Sequence, residues 1–164
     1  MISLKILEIK PFMARLFTKN TFDSFNLKEL NIQTFTNFHV SGQFNEEFFS
    51  KEELEERGEL SLLWSDIRPF AFSVIKGNKT PLSLKIVFQL PSKKTQELME
   101  GLVGRFTLEE LGGLYLNIRF EKGQLHIITG VAMRTFTMDK TLEEVWDRVI
   151  KNLLKEEQIP FEEE

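Results

Sequence analysis

His39 and His126 are the only imidazoles in the chain. Imidazole is the side chain best suited to moving a proton near neutral pH, so general-base chemistry would fall to one of these two. Neither stands in a metal-binding spacing such as His-x-x-x-His or His-Glu-x-x-His. No cysteine is present to supply a thiolate ligand, a nucleophile or a disulfide. The Gly-rich phosphate loop, the Gly-x-Ser-x-Gly elbow and the kinase motifs are also missing from the sequence. The expectation is therefore no catalytic residue, no metal and no cofactor. The leading reading is a non-enzymatic binding or protein-interaction domain. An enzyme using His39 or His126 as a base is an alternative.

Two sets of residues carry the chemistry of binding. Alternation places Leu114, Leu116, Ile118 and Phe120 on one side of a strand, and Tyr115, Asn117, Arg119 and Glu121 on the other. Glu121-Lys122-Gly123-Gln124 then reads as a hairpin turn. With a two-residue turn Arg119 faces His126 and Tyr115 faces Gly130; a bulge at Gly123 would shift this register. Tyr115, Asn117, Arg119 and His126 on one face could take an anion or a polar ligand. An ordinary solvated sheet face accounts for the same residues.

The second set is Arg68, Lys76 and Lys79. It lies in residues 64–95, which hold one acid and six bases. Phosphate or nucleic-acid binding is the functional reading, and gives the alternative of a nucleic-acid-binding protein. Lys76 before Gly77 also has a structural reason, because a helix C-terminus attracts cations. A net charge of -4 works against non-specific nucleic-acid affinity. The acids Glu52, Glu55, Glu56 and Glu59 read as a solvated helix face rather than a cation site.

The elements that must position these residues follow from periodicity. Residues 2–9 alternate and predict a strand, with Pro11 opening a short helix over 12–17. Residues 25–44 predict one or two strands. Ser50 with Glu53 predicts a capped helix over 50–57, ended by Gly58. Residues 66–76 fit both a strand and a helix, and the helix explains more of them, with Pro69 in its first turn. Residues 82–90 alternate clearly. A helix from Ser92 to about Val103, the 114–136 hairpin, and a final helix opened by Thr141-Leu142-Glu143-Glu144 complete the chain. Nine of the 16 phenylalanines lie between Phe12 and Phe49, a run that reads as core.

Leu4-Lys5-Ile6 and Leu84-Lys85-Ile86 start similar segments, each ending in proline, 80 positions apart. The fold class expected is α+β, an antiparallel sheet with helices mainly on one face. A tandem duplication of a strand-helix-strand-strand-helix unit is its specific form, with 4–76 and 84–157 superposing. If the two Leu-Lys-Ile strands play different parts in the sheet, the repeat is coincidence. Residues 1–157 are expected to form one globular domain. Residues 158–164, acidic and interrupted by Pro160, are expected to form a flexible tail.

The stretch Trp64-Ser65-Asp66-Ile67-Arg68-Pro69 through Lys76-Gly77, then Pro81 and Lys85-Ile86-Val87-Phe88, resembles a small bacterial family of uncharacterised proteins. So does Phe136-Thr137-Met138-Asp139 through Trp146-Asp147. The resemblance implies no activity. No apolar run approaches a membrane span, and no charged region precedes an apolar one at the N-terminus. These features predict a cytoplasmic protein off the membrane. The sequence does not identify a partner; a protein partner or a homodimer is open to it, and nucleic acid is less favoured.

Overall fold

The computed structural model describes residues 1–77, 79–102 and 106–164. Among the described residues, seven strands and five α-helices follow one another: β1 (Ser3–Ile6), α1 (Ile9–Phe17), β2 (Asn26–Gln33), β3 (Asn37–Val40), α2 (Lys51–Arg57), α3 (Trp64–Ile75), β4 (Ser83–Gln89), α4 (Ser92–Glu100), β5 (Leu111–Glu121), β6 (Gln124–Met133), α5 (Thr141–Glu156) and β7 (Phe161–Glu163). The strands form one sheet in the order β3-β2-β4-β5-β6-β1-β7, antiparallel at every step. Val103, the expected end of α4, and Asn78 of the 76–81 turn lie outside the described residues.

Period-two patterning decides which way each strand faces. Leu84, Ile86 and Phe88 of β4 are buried, as are Leu114, Leu116, Ile118 and Phe120 of β5, Leu125 and Ile127 of β6, and Leu4 and Ile6 of β1. The helices meet them in a single cluster. The stripe Leu142, Trp146, Ile150 and Leu154 is the buried face of α5, and Phe12, Leu16 and Phe17 that of α1. The sheet is thus an α+β layer with its helices on one side.

Aromatic packing draws these layers together. Phe88 stacks on Phe22 at 5.9 Å and on Phe25 at 5.5 Å, and meets Trp64 edge-on at 5.4 Å. The Trp64 indole donates to the Leu16 carbonyl at 2.8 Å, tying α3 to α1. The Trp146 indole donates to the Tyr115 carbonyl at 2.9 Å and ties α5 to β5.

Residues 66–76 resolve as helix. α3 starts earlier than expected, at Trp64, with the Asp66 carboxylate accepting the Leu63 N–H at 2.8 Å. Pro69 stands inside the helix, beyond the first turn. The expected cap of α2 is present: Ser50 Oγ accepts the Glu53 N–H at 3.1 Å and Glu53 accepts the Ser50 N–H at 2.9 Å.

The chain also departs from its sequence reading in three places. β1 lies between β6 and β7, whereas β4 lies between β2 and β5. The two Leu-Lys-Ile strands therefore have different neighbours, and the repeat is local coincidence between strands of like alternation. The expected flexible tail is ordered: β7 pairs with β1, Ile159 is buried, and Lys151 Nζ meets Glu163 Oε2 at 2.7 Å. The phenylalanine run divides. Phe12, Phe17, Phe22 and Phe25 are core, but Phe35 and Phe48 are exposed.

Phe44 and Phe49 instead build a surface clasp. They stack at 5.2 Å, with the Arg57 guanidinium 4.8 Å from the Phe44 ring centre. Arg57 also forks onto Asp66, one hydrogen bond measuring 2.9 Å. The clasp fastens 41–63 against the start of α3. Gly42 is required there, because a Cβ would lie 2.3 Å from the Lys28 carbonyl oxygen.

Two outcomes are expected. Phe88→Ala costs about 3–5 kcal/mol in urea unfolding, since its three ring partners cannot close around the cavity; a loss under ~1 kcal/mol would remove Phe88 from this structural role. Burial opposes ionisation of Asp66, but hydrogen bonds from Arg57 and the Leu63 N–H outweigh it and hold the carboxyl below its ordinary value. A depressed folded-state pKa stabilises above the unfolded value, ~3.9, and that stability is lost as pH falls through the folded value. The stability gap between wild type and Asp66→Asn is therefore full above about pH 5 and closes below about pH 4. A gap unchanged to acid pH in denaturant titrations would contradict this.

Candidate functional site

With one sheet face committed to the core, alternate residues of each strand must face the other way. The described helices give their buried side chains to the first face alone. The second carries Gln33, Asn31, Lys85, Val87, Tyr115, Asn117, Arg119, His126, Ile128 and Lys5, all half-buried to exposed.

Strand pairing aligns several of these into one row. His39 is paired with Asn31, Asn31 with Lys85, Lys85 with Arg119, Arg119 with His126, His126 with Lys5, and Lys5 with Glu162. The row crosses all seven strands. Its middle, Lys85, Arg119, His126 and Lys5, consists of four consecutive basic side chains on neighbouring strands.

Their partners differ. Lys85 Nζ lies 3.3 Å from Glu29 Oε2. Asn31 Nδ2 donates to Glu29 Oε1 at 2.7 Å, while Asn31 Oδ1 lies 2.6 Å from His39 Nδ1. The Asn31 hydrogen bond, then Lys85 and the His39 ring, hold the Glu29 carboxyl below its ordinary value. His126 Nε2 lies 3.3 Å from Glu164 Oε1. Among the described residues, Arg119 and Lys5 have no ion-pair partner. Like charges directly opposite across strands destabilise a sheet. This row therefore has a standing electrostatic cost at its centre.

The expected ligand set falls on this face as the sequence placed it. Arg119 is opposite His126 and Tyr115 opposite Gly130, the register of a two-residue turn. The Tyr115 ring occupies space that a side chain at 113 would take: a Cβ there would lie 2.9 Å from the ring. Asn117 Nδ2 is turned to the Ile128 carbonyl at 3.3 Å. Beside the row, a groove of about 770 Å³ opens over β2, β4 and β5, with Lys85, Arg119 and Lys122 on its wall together with Asn31 and Gln33.

The other expected set does not converge. Arg68 is engaged bidentately by Asp23, at 2.8 and 3.0 Å. Lys76 lies at the far end of α3, about 12 Å along the axis at 1.5 Å per residue. Lys79 follows on the loop beyond it. The two histidines are not neighbours either. Four strand spacings separate them in the row, roughly 19 Å in all.

Sequence reasoning missed Lys5, Asn31 and His39 as members of this row, and saw Lys85 only as part of a basic segment. The alternation of Leu4 with Ile6 and of Leu84 with Ile86 already turns both lysines outward. Nothing local says that β4 and β1 flank the hairpin.

Among the described residues no cluster of three or more His, Asp or Glu could hold a metal ion. No described helix is long and apolar enough to cross a membrane. No curated protein and no solved structure matches the chain. A family model does match, over residues 15–162, a span that contains Lys85, Arg119 and both histidines and begins after Lys5. The match takes in nearly the whole chain, which therefore belongs to DUF5721, a family of unknown function.

Proposed function

We propose that the chain is a non-enzymatic binding domain whose working surface is the open sheet face, and that it holds a short acidic segment of a protein partner along the basic row. The observation that carries the reading is the register: Lys85, Arg119, His126 and Lys5 stand opposite one another in turn across neighbouring strands, and two of the four lack an ion pair among the described residues. An anionic partner offsets the repulsion that the fold leaves in place.

The surrounding charge argues for a short segment over a long polyanion. Glu29, Glu121, Glu162 and Glu164 rim the row on the same face. Together with the net charge of -4, they repel a uniformly charged strand such as nucleic acid. The four basic positions span three strand spacings, roughly 14 Å, about the length of four extended residues. We further propose a bacterial cytoplasm as its setting; a chain without cysteine needs no oxidising environment, which supports this.

Amide NMR tests it directly. Titration with a Glu-rich octapeptide is expected to shift resonances of Lys5, Lys85, Arg119 and His126, and added salt to weaken the binding. A Gln-rich peptide and a single-stranded oligonucleotide should leave them still. Arg119→Ala with Lys5→Ala lowers the affinity about tenfold, within the cost of a lost charge pair. Shifts confined to the helical side, or none at millimolar peptide, would overturn the reading. The unliganded protein gives a second check. Arg119→Thr relieves the like-charge contacts and suits a strand, so it raises stability by up to about 1 kcal/mol.

A further inference from the structure

A separate cleft opens on the helical side of the sheet, lined by α1 and by the end of α3 with the loop that follows it. Its floor is Leu84 of β4 and Phe120 of β5, both nearly inaccessible to water. One wall is a single stripe of α1: Ile9, Met13 and Phe17 recur four residues apart and so share a helix face. Ile75 and Pro81 form the opposite wall. Gly77 and Gly123 stand at the lip, where added side chains would meet open space. The cleft holds about 610 Å³, within the ~300–1,000 Å³ typical of small-molecule sites.

Its polar groups are few and of one sign. Lys10 and Lys79 are both exposed at the cleft, and neither has an ion-pair partner among the described residues. The lining contains no acidic side chain. An apolar trough with two free ammonium groups complements a molecule with a hydrocarbon body and one anionic head. An extended acidic peptide would leave the apolar walls wet, and a neutral lipid would leave both lysines without a counterion.

We infer that this cleft is a second binding site, for a long-chain acyl carboxylate. The hydrocarbon lies over Leu84 and Phe120 between the α1 stripe and Ile75. The carboxylate sits at the surface between Lys10 and Lys79, whose flexible stems let the ammonium groups close on it while staying in water. The site is on the opposite side of the sheet from the basic row and stands independently of the acidic-peptide reading.

The test uses the full chain with cis-parinaric acid, whose fluorescence rises in an apolar site, and palmitate as competitor. Saturable enhancement at one probe per chain, displaced by palmitate, is expected. Palmitate methyl ester, which lacks the charge, should displace at least tenfold less effectively. Lys10→Glu with Lys79→Glu changes only exposed side chains, so the fold should persist by circular dichroism while probe affinity falls at least tenfold. Methyl resonances of Met13 and Ile75 should shift on binding, and those of Ile128, on the other sheet face, should not. Absence of saturable binding overturns the proposal. So does equal displacement by the ester, or binding unchanged in the folded double variant, because either would reduce the cleft to unspecific apolar surface.

Discussion

Phe88 lies where the sheet, α3 and the 18–25 loop meet, and the remaining architecture depends on that ring being buried. Its stacking on Phe22 and Phe25 and its edge contact with Trp64 pull loop and helix onto one side of β4. Trp64 carries the constraint further through its hydrogen bond to Leu16, which sets α1 beside α3. Because side chains alternate along a strand, burying Phe88 also buries Ile86 and Leu84 and turns Lys85 outward. A one-residue slip would send Lys85 into the core, at a cost of several kcal/mol for an unpaired charge. The basic row is thus a corollary of aromatic packing on the opposite face.

That relation explains how much could be read beforehand. Alternation is local, so the facing of β4, β5 and β6 is visible in the chain; a turn at Lys122-Gly123 is visible too, but only the strand pairing decides whether a bulge there shifts Arg119 from His126. Helix α2 was legible through its reciprocal Ser50 and Glu53 cap, and α5 through its wide apolar stripe. Strand order was not legible. Leu-Lys-Ile describes any strand with one buried face, which is why β1 and β4 looked like copies while taking different neighbours. The acidic tail misled for a related reason. Its charges point outward from β7, and the backbone hydrogen bonds that order it depend on β1, more than 150 residues away.

The phenylalanines show the same limit from the side of composition. Phe is apolar without a polar handle, so burial is its default reading. Phe44 and Phe49 satisfy that tendency only in part, by stacking on each other at the surface with the Arg57 guanidinium against them. Arg57 in turn is held by Asp66, so a charged pair orders an aromatic one. No periodicity reports such an arrangement, because its members come from three separate segments.

The two proposed sites draw on adjacent residues of the same strands. Leu84 and Phe120 floor the cleft, while Lys85 and Arg119 stand in the row. Period-two geometry sends neighbours to opposite sides, so the basic row and the cleft floor use different side chains of one pair of strands, although the groove beside the row also reaches Leu84 and Phe120. An anion bound on each side is separated from the other by the sheet itself, and exposed charges are screened over ~8 Å at physiological ionic strength. Coupling by direct electrostatics is therefore weak. Mechanical coupling would need β4 or β5 to shift, and both are interior strands hydrogen-bonded on either side. The sheet that brings the sites so close in sequence is also what keeps them energetically apart.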